Sequence, residues 1–81
     1  MSERLMLEGA LHSKKMQSMK LATRAEGIIR AVKQILQPAS IIKLKDVRTG
    51  EAVELIGDLH EVRRQYLDLC REIEDIKKEM G

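Results

Sequence analysis

The sequence predicts a mainly α fold: a long helix, a short β-hairpin and a coiled-coil helix, the helical hairpin then pairing into a four-helix-bundle dimer. Three observations point there. Apolar residues recur at helical spacing over 21–36 and again over 59–80, an alternating segment surrounds Gly50 between them, and the first stripe is wider than one partner helix can cover.

Residues 21–36, "LATRAEGIIRAVKQIL", place Leu21/Ala22, Ala25, Ile28/Ile29, Val32 and Ile35/Leu36 at i, i+3, i+4 and i+7, with Thr23, Glu26, Arg30 and Lys33 opposite. Pro38 cannot continue the hydrogen-bond ladder and biases Gln37 away from helix, so the element ends near residue 36. Backwards, the same line runs through Ser18, Lys14, Leu11 and Leu7, two of them polar. Residues 1–20 therefore read as a less buried helical extension of the 21–36 core helix, with Ser2 or Ser13 as its cap.

Residues 41–56 read as a β-hairpin. A four-residue turn at Arg48-Thr49-Gly50-Glu51 pairs Val47 with Ala52, puts Ile42, Leu44, Val53 and Leu55 on one face, and sets Lys45 opposite Glu54. The competing reading starts the second helix early, because Ala52 and Leu55 extend its seam. Gly57-Asp58 favours the hairpin, as a helix-start signal is redundant inside a running helix.

From Asp58, with Glu61 three residues on as in a capping box, residues 58–80 read as the coiled-coil helix. Leu59, Val62, Tyr66, Leu69, Ile73, Ile76 and Met80 alternate spacings of three and four, an a/d seam with Leu59 at position a. Asp58 with Arg63 and Glu72 with Lys77 are then g–e′ pairs that would attract in a parallel homodimer. A helix over 3–36 spans ~50 Å and one over 58–80 only ~34 Å, so the first dozen residues are expected to overhang.

Composition bounds the rest. The 81 residues make a single domain (1–81) with no Phe, no Trp and one Tyr, so aliphatic side chains and Met do the packing. A core of this size supplies roughly 3–5 kcal/mol unless oligomerisation, a metal or disulfides add to it. Cys70 is the lone cysteine, which excludes an intrachain disulfide and fits a reducing compartment. Net charge is +2, split between a basic first half and an acidic second half that attract when folded antiparallel. No apolar run reaches membrane-span length, and the first sixteen residues resemble neither a secretory signal nor a lipidation site, so the expectation is a soluble cytoplasmic protein.

Chemistry-bearing residues do not converge. His12 and His60 lie in different elements, Cys70 has no ligand at metal spacing, no Gly-rich phosphate loop occurs, and Glu72, Glu74, Asp75 and Glu79 read as solvated surface. No catalytic residue, cofactor or metal is expected, and the chain reads as a non-enzyme. Its expected role is a helical oligomerisation or adaptor protein acting through protein–protein contacts. The interface is assigned to Leu59, Val62, Tyr66, Leu69, Ile73 and Ile76 with Ile28 and Val32, and the partner is a second copy or an unidentified protein. The alternative is a dimeric nucleic-acid-binding accessory protein using Lys14, Lys15, Lys20 and Arg24. A membrane-surface role for the Met-rich first helix lacks the Trp or Phe anchors such helices use.

Overall fold

The computed structural model describes residues 2–37 and 42–81. It contains two long helices, α1 (Glu3–Leu36) and α2 (Thr49–Met80), with a short 3₁₀ turn at Leu44–Asp46 between them. The helices pack along their length as an antiparallel hairpin, a rod of 64 × 15 × 14 Å. Lys14 reaches Glu72 across the rod, while Leu7 and Met80 share a groove at one end.

α1 starts where Ser2 accepts the Arg4 N–H on its hydroxyl at 3.1 Å, and Glu3 complements the positive end of the helix dipole. Ser13 lies mid-helix and caps nothing. At the other end Gln37 keeps right-handed helical angles, φ −58° and ψ −43°, and its N–H bonds the Lys33 carbonyl. The ladder is thus completed up to the residue before Pro38, which itself lies outside the described residues.

The expected β-hairpin is not there. Among the described residues no strand forms; 44–46 are a 3₁₀ turn, and α2 is already running from Thr49 through Gly57 and Asp58. The physical reason is burial of the extended seam. Ala52, 4% exposed, is buried near the level of Ile35, 5% exposed, and Leu55 follows it half-buried. A hairpin would have left two strand edges unpaired, whereas a helix satisfies its backbone internally. Gly50 and Gly57 accordingly have ordinary helical backbones, since the sole positive φ among the described residues belongs to Gly81. A helical Gly costs roughly 1 kcal/mol relative to Ala, less than burial of the added turns returns.

The early start also removes the expected overhang. α1 and α2 are 34 and 32 residues long, so they match end to end and the first residues of α1 lie against the last of α2. Val62, Leu69 and Ile73 join Ile35 and Ala52 as the buried core, a single line of aliphatic side chains.

Candidate functional site

The a/d seam of α2, extended back to Ala52, faces an equally regular seam on α1. Leu7, Leu11, Lys14, Ser18, Leu21, Ala25, Ile28, Val32 and Ile35 alternate spacings of four and three, which puts Leu11 at a and Leu7 at d. Two of these positions are polar. Lys14 keeps its ammonium in solvent's reach and donates to Glu72 at 3.0 Å, and the Ser18 hydroxyl donates to the Lys15 carbonyl at 2.7 Å. Neither residue is left buried without a partner.

The eight side chains assigned to an interface take their places in this seam. Val62, Leu69 and Ile73 are buried against α1, and Leu59, Ile76, Ile28 and Val32 are half-buried. Tyr66 stays 39% exposed. With α1 seated on the α2 seam, a parallel α2–α2 pairing is closed to this fold and the Asp58–Arg63 and Glu72–Lys77 pairs have no g–e′ neighbour. Glu72 is engaged by Lys14 instead.

In an antiparallel pair the e positions of both helices border one side of the seam and the g positions the other. Two grooves mark these flanks. The first, about 350 Å³, is lined by Leu21, Ala22, Ala25, Leu59, Val62, Arg63 and Tyr66, and is apolar apart from Arg63. The second, about 410 Å³, is polar: Gln17, Lys20, Gln65, Asp68 and Glu72 surround Leu21 and Leu69.

The flanks differ in chemistry along the whole rod. On α2 every c or g position from Glu51 to Glu79 is a carboxylate except Gln65. This stripe has no signal in any short motif, and it becomes continuous only because 49–57 is helical. Cations at neighbouring positions moderate it: Arg64 lies 2.6 Å from Glu61 and 3.0 Å from Asp68, and Arg71 lies 3.9 Å from Asp68. The Arg64 hydrogen bond, with a second from Gln65, holds the Glu61 carboxyl down to about 2 from its ordinary 4.5. Arg64 is correspondingly raised by Glu61.

The opposite flank, e and b, is where the apolar surplus gathers. Ten large apolar side chains are exposed on the two helices, and seven of them occupy e or b: Leu5, Met19, Ile29 and Leu36 on α1, and Val53, Ile56 and Leu67 on α2. Cys70 stands on the same flank, half-buried and free.

The four cations assigned to nucleic acid do not form one face. Lys14 is tied to Glu72 and Lys20 borders a groove with Asp68 and Glu72, whereas Lys15 lies on the e flank. Arg24, at g, shares the side of the rod that carries the acidic stripe. His12 and His60 share the e/b flank but stand ~22 Å apart along it, about fifteen residues of rise. Among the described residues no group of three His, Cys, Asp or Glu is placed to hold a metal, and no helix is long and apolar enough to cross a membrane.

The fold and its surface define a class: an antiparallel two-helix hairpin with an acidic stripe on one flank of α2 and a mixed apolar and charged flank opposite. No protein-family profile, no curated protein and no solved structure matches the chain.

Proposed function

We propose that the chain is a non-enzymatic oligomerisation module, a helical hairpin that associates with a second copy to close a four-helix bundle. The supporting observation is the surface left over. The accessible area is 6431 Å², against about 5,000 Å² for a compact monomer of this mass. Its radius of gyration is 18.6 Å, where about 12 Å suits a compact domain of this length.

Among the described residues five make up the buried core, and the apolar excess is gathered on one flank rather than scattered. Stable dimers bury about 800 Å² per partner, and the surplus of roughly 1,400 Å² exceeds that. Association through the e/b flank leaves the a/d seam inside each hairpin.

Solution mass by light scattering over a concentration series tests the reading. A dimer that persists to low micromolar concentration is the expected result. A monomer at every concentration overturns it. The nucleic-acid alternative gains no support from the placement of Lys14, Lys15, Lys20 and Arg24, and it requires steeply salt-dependent duplex binding at low salt.

A further inference from the structure

The e/b flank is itself a seam. On α1 it runs from Leu5 through Glu8 and Lys15 to Leu36 at alternating spacings of three and four, and on α2 from Val53 through Arg63 to Lys77 in the same rhythm. On each helix it lies about a quarter-turn around from the a/d seam, where a four-helix bundle places its second contact. It mixes apolar and charged residues far more than the a/d seam, where Lys14 is the one charge between Leu7 and Ile35, and along most of its length the mixture is ordered.

The Lys14–Glu72 contact and the Leu7–Met80 groove fix which residues of α1 and α2 stand at the same height. From these anchors Glu8 is level with Lys77, Lys15 with Glu74, and Glu26 with Arg63, each within about 5 Å of axial rise. At every one of these heights the two helices carry opposite charge. Between them Met19 and Ala22 are level with Leu67 and Cys70, and nearer the loop Ile29 is level with Ile56. From Glu8 to Ile29 charge meets opposite charge and apolar meets apolar; next to the loop Lys33 instead stands level with Val53.

Within one hairpin these residues flank the seam and point outward, so their match is not used internally. Lys15, Glu26 and Arg63 make no ion pair among the described residues, while Glu8 and Glu74 have only loose pairs within their own helices, to Arg4 at 3.5 Å and Lys77 at 4.0 Å.

We infer that a second copy of this chain docks on the e/b flank with its twofold axis along the rod, so that α1 of each hairpin lies against α2 of the other. This deepens the oligomerisation reading and rests on it. A twofold parallel to the helices preserves height, which is the condition for the matched levels to meet between chains. It makes every neighbouring helix antiparallel and covers Tyr66 and the apolar groove beside it. Turning the twofold across the rod would set α1 on α1 and still pair Lys15 with Glu26. In that arrangement Ile56 would face Lys77 and Arg63 would face Cys70, so only one helix would find a match. The acidic flank stays outward, where eight carboxylates per chain remain hydrated.

The test is a charge swap read in mixtures. Glu26→Lys and Arg63→Glu are both exposed substitutions, and circular dichroism checks that each variant keeps its helices. Each alone should form homodimers about fivefold to tenfold weaker, because two attractive pairs per dimer become repulsive. Mixed together, the two variants should form a heterodimer in excess of random mixing by native mass spectrometry, since both interchain pairs are then complementary. An internal effect of either residue gives no such preference. Dimers that mix at random, or that weaken with Glu26→Lys and not with Arg63→Glu, overturn this arrangement while leaving oligomerisation standing. Monomers from the parent chain at all concentrations overturn both.

Discussion

Glu61 illustrates how much of this surface is held by short-range pairs between exposed groups. Its carboxyl accepts from Arg64 at 3.0 and 2.6 Å and from Gln65 at 3.2 Å, and its titration is drawn down to about 2. A carboxylate depressed in the folded state contributes stability that is fully present above its unfolded value, near 4.5, and is lost as pH falls through about 2. The expected outcome of an NMR titration is a Glu61 midpoint near 2, with the helix signal of the parent chain falling more steeply than that of Glu61→Gln between pH 4.5 and 2. A midpoint near 4.5 would mean that Arg64 does not hold its pose in solution. Because the pair is exposed, added salt should shrink the effect.

At the scale of the element, α2 carries the lesson about what sequence can disclose. The apolar rhythm from Leu59 to Met80 was legible because seven residues keep one phase, and Pro38 marked the end of α1 to within a residue or two. The start of α2 was misplaced by nine residues. Gly57, Asp58 and Glu61 form a good local start signal, and it lost to burial of Ala52 and Leu55 against a helix distant in sequence. A heptad seam also does not say whose seam it meets. Leu59 to Ile76 read as an interface between chains, and the chain's own α1 occupies it.

The e/b seam was in plain view at spacings of three and four, but its mixed charge hides it until the a/d seam is known to be filled. Gly57 supplies the check on this element. It lies on the outer face of α2, and a methyl group there meets nothing within 4 Å beyond its own stretch of helix backbone. Gly57→Ala should therefore stabilise the fold by about 0.5–1 kcal/mol in urea melts. A loss of stability would indicate that the backbone is not helical at 57.

At the scale of the whole molecule, the hairpin is a rod whose length is set by two matched helices. Side-by-side association with a twofold along the rod thickens it without lengthening it. Small-angle scattering of the dimer should give a maximum dimension still close to that of the 64 Å hairpin, with a broader cross-section. A clearly longer particle would mean end-to-end or staggered contact.

The antiparallel course has one more consequence, a mechanical one. Ser2 and Gly81 lie at the same pole of the rod, with Leu7 and Met80 the first seam residues to meet there. Tension applied between those two ends does not load the seam all at once. It peels the helices apart one rung at a time, starting at Leu7 and Met80 and reaching Ile35 and Ala52 last. Most rungs are small aliphatic contacts, with Lys14, Ser18 and Tyr66 among the others, so the chain yields to a weak pull along that direction. Gripped instead at one end and at the loop, the same rod would have to shear every rung together, and would resist.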